Sequence, residues 1–227
     1  MKLKRRLIQL AVFTPLLALI ACGGGNQQTG NKQNEMPAEN GSKTNQYVKD
    51  SSMDIHQQHK SLAENFSHRD IVILEHPYQL AEATKTEMEQ VIDAYFQLKD
   101  AFVKEDEQAT DRAAGLMAQK VAAVVPTKLE GEGLEAWHNH QAVYESKLKE
   151  MKHIKGLDNK RSYFSHISEL MYCTIKSFGL KQGNLFAIYC PMVFDGKGAY
   201  WISSSKTVQN PYLGSKMPTC GEVKEEL

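Results

Sequence analysis

The chain has 227 residues, with 27 Lys and Arg against 27 Asp and Glu. Lys2, Lys4, Arg5 and Arg6 all fall within the first 21 residues, so a chain without that segment keeps 27 − 4 = 23 basic residues against 27 acidic ones and is mildly acidic. Such a balance argues against nucleic acid or anionic lipid surfaces as partners, because both reward clustered Lys and Arg.

The first segment reads as an export signal. Four basic residues precede an apolar run, Leu7 to Ile20, broken only by Gln9, Thr14 and Pro15. The run is shorter than the roughly 20 apolar residues that span a bilayer, and Gly23-Gly24-Gly25 follows at once. It closes on Leu19-Ile20-Ala21-Cys22, the pattern of a bacterial lipoprotein cleavage site, where small Ala21 fits the peptidase and Cys22 accepts the lipid. Residues 1–21 are therefore expected to be a signal peptide and Cys22 the lipidation site. The protein is then expected in the bacterial cell envelope, membrane-anchored through lipid and facing the periplasm. Of four cysteines, this leaves Cys173, Cys190 and Cys220 in a disulfide-permissive compartment, so at most one internal disulfide can form.

Residues 22–68 follow as lipidated Cys and flexible tether. From Gly23 to about Asn45 the segment is mostly Gly, Asn, Gln, Lys and Ser, which bury too little apolar surface to offset their ordering entropy. Met53, His56 and His59 lie in its second part, readable either as an auxiliary metal-catching tract or as polar linker residues. Ile71-Val72-Ile73-Leu74 is a short apolar run compatible with a strand or with a packing segment ahead of a helix.

The helical period then sets in. Met88, Val91, Ile92, Tyr95, Leu98 and Phe102 recur at three and four within a first helix from about Gln79 to Lys104. A second, about Glu107 to Val125, is rich in Ala and stopped by Pro126. A third, about Leu134 to Lys152, carries Leu134, Trp137, Tyr144, Leu148 and Met151. The fourth is expected to start at Asp158 as N-cap and to end at Gly179, with Phe164, Ile167, Met171, Ile175 and Phe178 facing the core. Four amphipathic helices with short connections predict a mainly α fold, an antiparallel four-helix bundle. Beyond it the period drops to two: Leu185 to Tyr189 and Ala199 to Ser203 predict a small C-terminal β-hairpin around Asp195-Gly196-Lys197-Gly198. Asn210 to Gly214 reads as a turn, and Lys224-Glu225-Glu226 as a solvated end. Residues 69–227 are thus expected to form one domain.

Two sulfur pairs, Cys190-Pro191-Met192 and Met217-Pro218-Thr219-Cys220, give this domain its chemistry. Thiolates and thioethers are the donors preferred by copper(I) and silver(I), whereas hard ions need carboxylates that this stretch lacks. In an extended segment residues two apart share a face, so Cys190 and Met192 could converge, and Met217 and Cys220 could do so in a turn. A metal site at Cys190, Met192, Met217 and Cys220 would be walled by Tyr189, Trp201 and Tyr212. The same residues fit a disulfide between Cys190 and Cys220 with Met192 and Met217 as ordinary packing. Both readings bring the two cysteines together.

His166 and Cys173, seven apart on the fourth helix, lie within roughly 20° of each other, away from its apolar stripe. They are candidate auxiliary ligands, set against a surface histidine and a covered small hydrophobe. His138 and His140 are two apart on a helix and cannot face one site. No nucleophile motif surrounds a cysteine, no carboxylate spacing singles out an acid and a base, and no glycine loop precedes a helix, so an enzyme is not expected.

Tyr189-Cys190-Pro191-Met192, Gly198 to Ser203, Asn210 to Gly214, Met217 and Cys220-Gly221 together resemble a bacterial domain family of undefined function. That family occurs alone in lipoproteins and fused to periplasmic adaptor subunits of copper and silver efflux pumps. The resemblance implies a helical envelope domain linked to heavy-metal handling, in which Cys190, Met192, Met217 and Cys220 occupy motif positions. It also implies a heavy-metal efflux pump component as a partner.

Overall fold

The computed structural model of the chain describes residues 62–63, 65–68 and 71–227. The expected signal peptide and Cys22 lie outside the described residues, as do Met53, His56 and His59. Among the described residues no helix is long and apolar enough to cross a membrane.

Four helices form the bundle: α1 Glu82–Val103, α2 Glu107–Ala123, α3 Gly131–His153 and α4 Leu157–Phe178. The expected stripe of α1 is buried from Met88 to Phe102. Helix α2 begins one residue after Asp106, whose carboxylate accepts from the Ala109 N–H at 2.9 Å and so satisfies one of the unpaired donors of the first turn. The backbone is already extended at Val124, two residues ahead of Pro126, so α2 ends slightly earlier than expected. Asp158 is not the N-cap of α4. The helix starts after Gly156, whose φ of +84° suits glycine, and Asp158 sits inside the first turn, where it pairs with Arg161. Gly179 ends the helix in the left-handed conformation, as its position predicts.

Helix α4 is the axis of the domain. Sixteen of its 22 residues are buried, far more than one amphipathic face supplies. It packs against α3 on one side and against the sheet on another. The chain leading into α1 covers a further side. Phe66 is buried there against Tyr172 and Tyr200, the Ser67 and His68 N–H groups donate to the Glu169 carboxylate at 2.9 and 3.1 Å, and the Leu74 N–H donates to Ser177 Oγ at 3.0 Å. Ile71 to Leu74 belongs to this strap and is neither strand nor helix.

The C-terminal region is a three-stranded antiparallel sheet, one strand more than a hairpin. β1 Phe186–Cys190 lies between β2 Ala199–Ser203 and β3 Glu222–Glu226. The Lys224 to Glu226 stretch, expected to be a solvated end, is therefore an edge strand. Its residues alternate between exposed and half-buried without any apolar period, because Glu225 turns inward to accept from the Tyr172 hydroxyl at 2.8 Å and from Lys176 Nζ at 3.1 Å. The other edge, β2, is wholly buried and is closed by side chains instead of a strand. The Ile202 N–H donates to the Tyr95 hydroxyl at 3.0 Å, and the Tyr200 carbonyl accepts from the Tyr212 hydroxyl at 2.6 Å.

Candidate functional site

β1 carries the first sulfur. Cys190 is its last residue, paired with Ala199 and 0% exposed. The strand stops there, and the chain turns at Pro191, so the period of two does not reach Met192, which is 56% exposed. The shared face expected for Cys190 and Met192 is thus lost. The loop returns to β2 through Gly198, where φ is +79° and a Cβ would overlap the Tyr189 side chain, so the close approach of Tyr189 requires glycine.

The second sulfur pair arrives on a segment organised by Asn210. This residue is buried, and its Oδ1 accepts from the N–H groups of Tyr212 and Leu213, both at 2.8 Å. Its Nδ2 donates to the Cys220 carbonyl at 2.7 Å, and its own N–H donates to the Pro218 carbonyl at 2.9 Å. A 3-10 turn, Gly214–Lys216, leads to Met217, and the Cys220 N–H donates back to the Met217 carbonyl at 3.2 Å. That turn is pinned to the bundle where the Ser215 N–H donates to Glu105 at 3.1 Å. Arg161 reaches both the Pro211 carbonyl and the Glu105 carboxylate, at 3.2 and 3.3 Å. Hydrogen bonds from the Ser215 hydroxyl and the Ser215 N–H, with a smaller contribution from the Arg161 guanidinium, hold the Glu105 carboxyl below its usual range.

The two segments meet in a disulfide. Cys190 and Cys220 are bonded with their Cα atoms 5.7 Å apart. The sequence allowed a bridge between these two cysteines, and the structure contains it. Met217 is 42% exposed, so both methionines of the motif face solvent while Cys190, the last residue of β1, does not. Within the wall expected around the sulfurs, Trp201 and Tyr212 are buried and in edge-to-face contact at 6.0 Å. Behind Cys220, Gly221 lies so close to Trp201 that a Cβ would stand 2.6 Å from the indole.

Cys173 is covered, and His166 lies in the interior as well and not at the surface. Cys173 is buried, and burial, reinforced by the Glu169 carboxylate, pushes its thiol well above the usual range and keeps it neutral. His166 is covered because the strap crosses it: its ring stacks on that of His68 at 3.5 Å, and His68 Nδ1 lies 2.6 Å from Glu169. Sequence spacing could not foresee this, since the covering residue stands about a hundred positions away. Among the described residues no group of three or more His, Cys, Asp or Glu side chains is placed to hold a metal ion. His140, set aside as unable to share a site with His138, is fully buried and donates from Nε2 to the Val72 carbonyl at 2.6 Å. Asn210 and Glu169, the two buried polar residues on which these segments are organised, carried no signal beyond an Asn-Pro turn and a charge on a helix.

Residues 91–183 match a family model described as a protein of unknown function (DUF3347). The match runs from within α1 past the end of α4 and stops before β1, so the chain is similar to an uncharacterised domain family over its helices, and all four motif sulfurs lie beyond the matched segment. No curated protein and no solved structure matches the chain.

Proposed function

We propose that this chain is an envelope-anchored interaction module without enzymatic activity, whose working surface is the C-terminal corner that carries the Cys190–Cys220 bridge. The observation that carries this reading is the combination of a bridge between two distant segments with exposed methionines beside it. Met192 and Met217 stand two and three residues from the bridged cysteines, and both are exposed. Closing a loop of this sequence separation, 30 residues, stabilises by roughly 3–4 kcal/mol in the chain-entropy treatment. The bridge therefore stabilises the corner from which two soft, adaptable side chains meet a partner. The Leu19-Ile20-Ala21-Cys22 signal supports lipid anchoring in the envelope, and the resemblance of the C-terminal motifs to domains fused to efflux adaptors supports a heavy-metal efflux assembly as the partner.

The same exposed methionines favour a second reading, in which the corner binds copper(I) or silver(I) for sequestration or delivery to efflux. With the bridge reduced, Cys190 and Cys220 supply thiolates to accompany the two thioethers, and soft ions accept two to four such donors in no fixed geometry. Intact mass of the mature protein isolated without reductant, before and after alkylation and with metal quantified on the same sample, separates the two. The module reading expects metal-free protein, Cys190 and Cys220 linked, and Cys173 alkylated only after unfolding. Bound copper, with both cysteines alkylatable once it is removed, would overturn it in favour of the metal site. Replacing Met192 and Met217 by Leu keeps the apolar surface and the fold, and weakens retention of copper(I) by the reduced protein only under the second reading.

A further inference from the structure

The bridge is not what places Cys220. The segment that carries it is tied down on both sides by contacts that involve no sulfur. Upstream, buried Asn210 joins the start of the segment to its end through the Pro218 and Cys220 carbonyls, while its Oδ1 closes the turn at Tyr212 and Leu213. Downstream, β3 enters the ladder at once, with Glu222 opposite Tyr189 and Val223 opposite Ile188, and Gly221 lies on Trp201. Arg161 and Glu105 hold the middle of the loop to the helices through Pro211 and Ser215. On the other side Cys190 is fixed as a buried strand residue paired with Ala199.

From this arrangement we propose that Asn210 is the positioning residue of the sulfur corner, and that Cys190 and Cys220 form a reversible pair whose dithiol state keeps the geometry of the bridged one. Reduction by a monothiol such as glutathione is balanced as two thiols oxidised to their disulfide, two electrons passed to the bridge, and one proton gained by each of Cys190 and Cys220. A dithiol already held in bonding register recloses with a high effective concentration, which makes the bridge harder to reduce. Loosening Cys220 in the reduced state lowers that concentration. The inference needs only the bridge and stands under either reading of the function, and metal binding is not among its readouts.

The test equilibrates the full mature chain with glutathione buffers, traps thiols with acid and alkylating agent, and reads the bridged fraction by mass. Amide exchange is followed on the fully reduced protein. Asn210→Asp keeps the acceptor for Tyr212 and Leu213 but sets a carboxylate oxygen against the Cys220 carbonyl. It is expected to lower the bridge's equilibrium constant about tenfold, moving its potential by about 30 mV towards easier reduction. Asn210→Ser, too short to reach Cys220, is expected to move it the same way and serves if the first variant does not fold. Val121→Ala, which destabilises the core on α2, a helix packed against α1 and α3, is expected to leave the constant within about twofold. The reduced wild-type chain is expected to keep its amide protection over residues 210–226. Loss of that protection on reduction, or a bridge constant in the Asn210 variants within twofold of wild type, overturns the proposal.

Discussion

His140 shows how a single side chain ties stability to pH. Its imidazole is fully buried, with Nε2 donating to the Val72 carbonyl and Nδ1 3.1 Å from the Thr174 hydroxyl, and burial lowers its pKa from 6.5 to about 4. Because the folded pKa is the lower one, the unfolded chain takes up the proton first. The fold therefore keeps its full stability above about pH 6.5 and loses it progressively down to about pH 4, by roughly 3 kcal/mol in all. Urea midpoints measured at intervals from pH 7 to pH 4 should fall accordingly in the wild type. They should lose most of that slope in His140→Leu, whose midpoint is lower at neutral pH because the Val72 carbonyl loses its donor.

At the level of elements, the exposed and buried edges of the sheet are handled differently. β3 presents Glu222, Lys224 and Glu226 to solvent, charges that discourage another strand from adding there. β2 cannot use that device because it is buried, so α1 supplies the Tyr95 hydroxyl as acceptor for Ile202. That hydroxyl also contacts Ser168 Oγ at 2.9 Å, which links α1, α4 and β2 through one oxygen. Tyr95→Phe removes the oxygen while keeping the ring, and leaves a buried backbone donor unpaired. The expected loss is about 1–3 kcal/mol in chemical denaturation, with the Ile202 amide showing the largest local gain in exchange rate. A loss below about 0.5 kcal/mol would mean that another acceptor reaches Ile202.

The molecule as a whole depends on contacts between parts of the chain that are far apart in sequence. The Glu169 carboxylate receives Ser67 and His68 across a hundred residues, and Tyr78 N–H and Leu74 N–H both end on Ser177. Glu169→Ala should release the strap while leaving the bundle folded, costing about 2–3 kcal/mol as the acceptor for two backbone donors and a ring nitrogen disappears. Limited proteolysis would then cut near residues 66–74 faster than in wild type. An unchanged cutting rate would show that Phe66 and Ser177 hold the strap without the carboxylate.

Four helices, their order and their approximate ends follow from the sequence alone, because the 3.6-residue period, Pro126 and Gly179 act within a turn or two of where they stand. The same local logic marks β1 and β2. Other features depended on packing. The alternating charges of β3 carry no apolar period, so only the ladder with β1 and the pull of Tyr172 and Lys176 on Glu225 make it a strand. His166 is buried because the strap lies over it, Met192 is exposed because β1 ends two residues before it, and Cys220 meets Cys190 because Asn210 folds its segment back. Local backbone geometry is written in neighbouring residues, whereas burial and pairing across a hundred positions are set by which surfaces fit once the helices have packed.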